Sequence, residues 1–377
     1  MQTKRFGLCA ALSAAALLLL AGCAGSGSTA APTLTVESSY PLQYAKQFTV
    51  DECTGGYELI TIADSQYLVV PQGAAVPEDL PQGTTVLQQP IENIYLVSTS
   101  AMDPIISLGA LDSIALSGTK ADGWYLPEAK AAMQAGQIAY AGKYSAPDYE
   151  TILASGCGLA IENTMIYHTP EVKEQLEKFG IPVLVERSSY ETDPLARMEW
   201  VKLYGILLGK KQEAEQLFDT QVQRVVPLEN QQPTGKTVAF FSITSNNLVT
   251  VRKGSDYVAR MIEMAGGSYV FDDLTDSGNN LATINLSLED FYAGAKDADV
   301  LLYNSTIEGS IASTEQLVEK CPLLAQFKAV QNGNVWCTAQ SLFQQSMELP
   351  DLILDMNRVF TEGTPADSEL TFLTHVE

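Results

Sequence analysis

The chain has 377 residues, 46% of them hydrophobic, with 22 Lys and Arg set against 45 Asp and Glu for a formal net charge of −23. So acidic a body excludes nucleic acid as a partner and excludes electrostatic adhesion to anionic lipid. The length suggests two domains or lobes of ~100–200 residues each, and the apolar content suffices for a core in both.

Residues 1–22 read as a signal peptide: Lys4 and Arg5 precede an apolar run, Leu8 to Gly22, that is shorter than the roughly 20 residues of a membrane span. Leu20-Ala21-Gly22-Cys23 resembles the lipobox of bacterial lipoproteins. That resemblance implies lipidation of Cys23, which becomes the first residue of the mature chain. Loss of the two basic residues takes the net charge from −23 to about −25. Residues 23–36, rich in Gly, Ser, Thr and Ala, are expected to form a flexible tether to the extracytoplasmic face of the cell membrane. Of the 6 cysteines, Cys9 belongs to the signal and Cys23 to the lipid site. Cys53, Cys157, Cys321 and Cys337 lack the C-x-x-C spacing of a zinc knuckle. They allow three disulfide pairings, and most are expected to act as small buried hydrophobes.

Residues 37–193 are expected to form an N-terminal α/β lobe. "FTVDE", "YELITI" and "QYLVV" read as strands with tight turns. Strands and helices then alternate: "DSIALSG", the helix "PEAKAAMQAG", "GLAIEN", the helix "TPEVKEQLEKFG", and "IPVLVE". That rhythm implies a mostly parallel sheet covered by helices. From 194 to 228 apolar residues recur at helical spacing, weakened by Gly205 and Gly209. A helix of about 30 residues would be ~45 Å long and would bridge two domains. Residues 229–377 then form a second α/β lobe, opening on "KTVAFFSIT" and ending with the strand "GNVWCTA" and the helix "LPDLILDMNRVF". The lobes echo each other in "DYETILASGCGLAIEN" and "SLEDFYAGAKDADVLLYN", each with a Glu at a short helix and an apolar strand ending in Asn.

"YPLQYAKQFTV", "IYLVSTSAMDPIISLGALDSIALSG", "AGKYSAPDYETIL", "LEKFGIPVLVERSSYETDPLARMEWVKLYG" and "AVQNGNVWCT", in this order and spacing, resemble the substrate-binding lipoproteins of ABC importers, of the iron–siderophore, haem and cobalamin class. The resemblance covers essentially everything after the tether. It implies a class III substrate-binding protein: two Rossmann-like α/β lobes joined by a single long backbone helix, with little hinge motion. It also implies a monomer that captures an iron chelate (siderophore), haem or corrinoid and delivers it to a permease dimer with its ATPase. In that family one acid on each lobe docks onto the permease, and by motif position these acids are Glu150 and Glu289.

Chemistry for catalysis is missing from the pattern. No G-x-S-x-G, H-E-x-x-H or S-x-x-K with K-T-G occurs. The 2 histidines, His168 and His375, leave little for a triad, a zinc site or capture of a bare metal ion, and His375 is expected to fray near the terminus. "DDLTDSGNN" has the wrong spacing for a calcium loop, and no metal or cofactor is implied. Ligand contacts are expected in loops after strands, where doubly wound sheets hold their ligands. In the first lobe these are Ser98, Thr99, Trp124, Tyr125, Asn163, His168 and Tyr190; in the second, Asn246, Arg252, Tyr303, Gln340 and Phe343. Trp124–Tyr125 is assigned to the cleft because a Gly-Asp loop is an unnatural place for core. Arg197 is expected to pair internally with Glu191 or Asp193, while Arg252 and Lys253 offer charge to an anionic chelate. The competing reading is an extracellular enzyme or ligand sensor on the same scaffold.

Overall fold

The structure is a computed structural model and describes residues 33–275 and 282–377. The signal peptide, Cys23, most of the tether and the end of the "DDLTDSGNN" loop lie outside the described residues. No helix among the described residues is long and apolar enough to cross a membrane.

The chain begins with a five-stranded sheet. Strands β1 (Val36–Ser39), β2 (Phe48–Cys53), β3 (Tyr57–Ile62) and β4 (Ser65–Val70) pair antiparallel, and β5 (Thr85–Gln88) joins β4 in parallel. Both faces of β3 and β4 are apolar. Ile60, Ile62, Tyr67 and Val69 enter the main core, while Tyr57, Leu59, Leu68 and Val70 close a smaller cluster with Cys53.

The first lobe is built on a wholly parallel sheet in the order β12-β11-β6-β7-β8. Its strands are β6 (Ile94–Leu96), β7 (Ile114–Ser117), β8 (Ala139–Tyr140), β11 (Ala160–Glu162) and β12 (Val183–Val185), with a small ribbon, β9 (Gly142–Lys143) and β10 (Ala146–Pro147), beside them. Helices α1 (Met102–Ser107), α2 (Pro127–Gln134), α3 (Tyr149–Ala154) and α4 (Pro170–Lys178) connect them; Pro at the first helical position of α2 and α4 sets φ and forfeits no hydrogen bond.

The expected single helix over 194–228 is divided. Helix α5 (Pro194–Leu207) ends at Gly209, whose φ of +68° reverses the chain, and α6 (Lys211–Val225) packs back against α5. A Cβ on Gly205 would lie 2.4 Å from the Ala214 Cβ, so glycine is what lets the two helices touch. The glycines that weakened the helical pattern therefore mark a break and a close approach. Every residue of α5 is buried, which places it between the lobes instead of on a surface.

In the second lobe the central strands β13 (Thr237–Ile243), β17 (Val300–Tyr303) and β18 (Val335–Thr338) are parallel. They are flanked by β14 (Val249–Arg252), β15 (Ser268–Tyr269), β16 (Thr283–Leu286) and β19 (Leu373–His375). Helices α7 (Tyr257–Met264), α8 (Leu288–Ala295), α9 (Ser305–Glu308), α10 (Thr314–Lys320), α11 (Lys328–Gln331) and α12 (Leu349–Glu362) complete it. His375 is not frayed: it pairs with Trp336 across β18–β19, and its Nε2 lies 2.7 Å from the Gly333 carbonyl. Cys53, Cys157, Cys321 and Cys337 are free thiols, and all but Cys157 are fully buried.

Candidate functional site

The carboxyl ends of the two parallel sheets meet along one seam. Gln344, beyond the end of β18, accepts from the Tyr125 amide at 2.8 Å and donates to the Gly123 carbonyl at 2.9 Å. Ser346 Oγ donates to the Ser100 carbonyl at 3.1 Å, and the Met347 amide donates to Asp103 Oδ2 at 2.7 Å. The segment 344–347 thus straps the second lobe to the loops that follow β6 and β7.

At the floor of this seam Glu186, just past β12, is buried and well supplied. Its Oε2 accepts from Ser98 and Ser100, each at 3.0 Å, and its Oε1 accepts from the Ser188 amide at 2.8 Å. Arg197, on the first turn of α5, is 9% exposed. It donates from Nη1 to the Ser188 carbonyl at 3.1 Å, and its guanidinium lies 4.1 Å from the ring centre of Tyr257, the first residue of α7. Among the described residues no carboxylate pairs with it; the expected ion pair with Glu191 or Asp193 is absent. Glu191 instead accepts from the amides of Lys46 and Gln47 and from Trp200, while Asp193 caps α5 through the Leu195 amide and lies 3.8 Å from Arg260. An unneutralised buried guanidinium is costly and therefore informative.

From the opposite lobe Arg252 stacks 4.6 Å above Phe343 and stands 3.6 Å from Asp256. Burial raises the Tyr257 phenol while Arg197 and Arg252 both lower it, so both cations act on one ring. Arg252, Thr283, Asn304 and Ile307 line a pocket of about 150 Å³ at this end of the second sheet. The rims are apolar and exposed: Tyr125, Met165 and Tyr167 on one lobe, Leu248 and Ile307 on the other. Aromatic walls with a few cations suit a chelate or macrocycle. Among the described residues no group of three or more His, Cys, Asp or Glu could hold a metal ion directly.

The structure redistributes the expected contacts. Trp124 is core: it is 1% exposed and its Nε1 donates to Ser117 Oγ at 3.2 Å, because the Gly-Asp loop folds back and turns the indole under β7. Tyr303 is also core, fully buried edge-on against Phe241; its hydroxyl finds no partner and burial pushes its pKa up to about 12. Asn304, the next residue, is buried too: its side chain caps α9 by accepting from the Thr306 amide, and it lines the small pocket beside Arg252. Ser98 is buried on Glu186 and supports the floor without facing the cleft. Tyr125 is exposed beside the buried Trp124. Thr99 begins the turn after β6, Asn163 caps the turn Thr164–His168 by accepting from the Met165 amide, and His168 ends that turn exposed. Tyr190 is covered by Arg187 at 4.5 Å, Asn246 is exposed in the β13–β14 hairpin, and Gln340 is half-buried past β18. Glu150 and Glu289 are exposed in the first turns of α3 and α8. Sequence reasoning passed over Ser100, Glu186, Tyr257 and Gln344. The signal for Gln344 was available in "QSLFQQSMELP", a polar run in the loop after a buried strand.

The two-lobed architecture, with its seam at the carboxyl ends of parallel strands, is that of a class III periplasmic substrate-binding protein. Residues 96–341 match the model of the family described as periplasmic binding protein, and the chain belongs to that family. It is similar to the uncharacterized lipoprotein MJ0878 of Methanocaldococcus jannaschii, 27% identical over 241 residues, covering 62% of this chain and 55% of the relative. A second protein of that organism is 26% identical over 170 residues, 44% of this chain and 49% of the relative. The chain thus spans about half the length of the curated relatives it matches. Solved structures share the fold at low identity. A periplasmic haem-binding protein, HutB of Vibrio cholerae, has TM-score 0.58 and 18% identity, covering 73% of this chain and 99% of that one. A periplasmic binding protein of Veillonella parvula has TM-score 0.60 and 15% identity, covering 88% of this chain and 99% of that one. A structure described as an ABC-type Fe3+-hydroxamate transport system from Saccharomonospora viridis has TM-score 0.54 and 20% identity, covering 72% and 94%.

Proposed function

We propose that this chain is the extracytoplasmic solute-binding protein of an ABC importer. In this reading it is anchored through a lipid on Cys23 and carries an anionic metal chelate, of the siderophore, haem or corrinoid kind, to a permease dimer and its ATPase. The observation that carries the ligand class is the convergence of Arg197, from the bridging helix α5, and Arg252, from the second lobe, on Tyr257 at the seam, with Arg197 buried and lacking a carboxylate among the described residues. A bound anion would complete the charge balance that the protein leaves open, and the aromatic rims would cover the ligand's flat faces. The similar structures of HutB, a haem-binding protein, and of the Fe3+-hydroxamate transport system agree with this class. Spectrophotometric titration with haem, ferric hydroxamates, ferric catecholates and corrinoids should give saturable 1:1 binding to at least one anionic member. Binding of neutral solutes alone would refute the ligand class.

Docking onto the permease is assigned to Glu150 and Glu289, which stand exposed at helix starts on the two lobes. Exposed ion pairs are worth only about 0–1 kcal/mol each, so a lipid anchor that raises local concentration matters to the affinity. Glu150→Arg combined with Glu289→Arg should abolish uptake in vesicles with ligand affinity unchanged. Undiminished uptake would remove the docking assignment. Cys23→Ala should move the protein from the detergent phase to the aqueous phase without altering its fold.

A further inference from the structure

One face of the second sheet changes character along β13. Up to Phe241 the strand is apolar on both sides, and Phe241 and Ile243 stay in the main core. Residues two apart share a face, so on the other side Phe240 is followed by Ser242. The antiparallel neighbours continue the polar row: Thr250 stands opposite Ser242, and Arg252 opposite Thr283 one step further along β14. These four side chains, with Asn304 from the end of β17, line the pocket of about 150 Å³. At ~30 Å³ for each water-sized group, that is room for about five heavy atoms.

The pocket holds unspent hydrogen-bonding capacity, and nearly all of it is donor. Ser242 is 3% exposed, and its hydroxyl has no partner among the described residues. Asn304 is 6% exposed and spends Oδ1 on the amide and hydroxyl of Thr306, which leaves both N–H groups of Nδ2 without an acceptor. The Thr283 hydroxyl is likewise unbonded among the described residues. Arg252 is stacked on Phe343, and its nearest carboxylate, Asp256, stands at 3.6 Å, beyond hydrogen-bond reach. Thr250 is the exception: its hydroxyl donates to Asn285 Oδ1 at 2.7 Å and turns only lone pairs to the pocket. Side chains as buried as Ser242 and Asn304 are as a rule hydrogen-bonded, so two of them left open on one pocket call for an acceptor from outside the chain.

We propose that this pocket is a carboxylate subsite on the second lobe. A carboxylate offers two oxygens with about four lone-pair sites and no donor, which matches the Nδ2 of Asn304, the two free hydroxyls and the guanidinium. A carboxamide would turn its own N–H groups toward a wall whose one committed acceptor is Thr250. A phosphate dianion would bring two charges to a single cation that Asp256 already offsets in part. Phe240 at the floor and the exposed Ile307 at the mouth suit the methylene groups that carry a carboxylate. The subsite is separate from the seat at Arg197, which faces Ser188 and Tyr257. Assigning the carboxylate to an arm of the carried solute rests on the binding-protein reading; the chemistry of the pocket does not.

The test titrates propionate, propionamide and phosphate into the ligand-free mature chain, with isotope-labelled asparagine, at neutral pH and constant ionic strength. The Asn304 side-chain amide is followed by NMR. Propionate should shift that signal saturably, with propionamide and phosphate each ~10-fold weaker or worse, since a hydrogen bond to a charged acceptor is worth about that factor. Ser242→Ala removes one hydroxyl and should weaken propionate ~10-fold or more on the same signal. Asn304→Asp keeps the oxygen that caps α9 but replaces the donor with a second anionic oxygen, and should abolish binding as read on the methyl groups of Thr250 and Thr283. Arg197→Met should leave propionate affinity unchanged. No saturable shift with propionate would overturn the subsite, as would equal binding of the three probes or full affinity in Ser242→Ala. The two readings fail separately: a null result with propionate leaves the chelate titration standing, and failure of every chelate with propionate still bound leaves the subsite standing.

Discussion

The two sides of α5 handle charge in opposite ways. On the side facing segment 43–47, between β1 and β2, Glu199 is fully buried yet complete: it accepts from the amides of Gln43, Tyr44 and Ala45 and from Lys202 Nζ at 2.8 Å. Just before the helix, Glu191 is closed in the same manner by Lys46, Gln47 and Trp200. On the side facing the seam, Arg197 has a carbonyl and an aromatic ring but no counter-charge among the described residues, and Glu348 keeps one oxygen without a donor. A single helix therefore carries a finished structural joint and an unfinished one. Incomplete satisfaction, where the rest of the molecule is locally consistent, is the reason the proposed ligand surface is put on that side.

The largest effect expected from breaking the comparison is Glu199→Ala. It strands Lys202 in the core and orphans three amides, and should cost ~3–5 kcal/mol in denaturant unfolding. If the variant still folds, its ligand affinity should match that of the wild type. A cost below about 1 kcal/mol would show that segment 43–47 is held by other means.

Trp124→Ala comes next. It removes a buried indole together with its hydrogen bond to Ser117, and should lower stability by ~3–5 kcal/mol, as measured by thermal unfolding, with little effect on affinity. An affinity loss at unchanged stability would return Trp124 to the cleft.

A third acid sharpens the contrast from inside the first lobe. Glu162 ends β11 beside Glu186, whose amide donates to the Glu162 carbonyl, but the Glu162 carboxyl is fully buried with neither oxygen bonded. Burial alone raises it to about 8 against an ordinary 4.5. Its contribution to stability is complete below about pH 4.5 and is lost as pH rises through about 8. Glu162→Gln should therefore match the wild type near pH 5 and exceed it by a few kcal/mol at pH 9, in urea melts at the two pH values. Equal slopes of stability against pH in the two proteins would mean the carboxyl is solvated.

Much of the fold was legible because periodicity and punctuation are local. The strand "YELITI", the Pro-initiated helices and the βαβα rhythm all appear where the patterns place them. The division of 194–228 was signalled by Gly205 and Gly209, but apolar residues at helical spacing continue across the reversal because α5 is buried on every side and α6 packs its own stripe of Ala214, Phe218, Val222 and Val225 inward. The site was less legible. A loop after a strand tells that a residue is near the cleft, not which way it points: Trp124 turns in and Tyr125 turns out. The role of Arg197 was hidden because its sequence neighbours Glu191 and Asp193 are spent on amides 145 residues away and on a helix cap. Only the folded chain brings Tyr257 and Ser188 to its guanidinium.

The central claim is that the unpaired cation at the seam awaits an anionic chelate. The most direct measurement is native mass spectrometry of the protein recovered from its own membrane, wild type beside Arg197→Met. Methionine fills the same buried space without charge, so the variant should fold at least as well as the wild type. The account predicts a wild-type adduct whose mass and isotope pattern identify an anionic iron or cobalt chelate, and a variant that has lost it, with affinity for the purified ligand down ~30-fold or more. A neutral, metal-free adduct, or one held equally by both proteins, would contradict it.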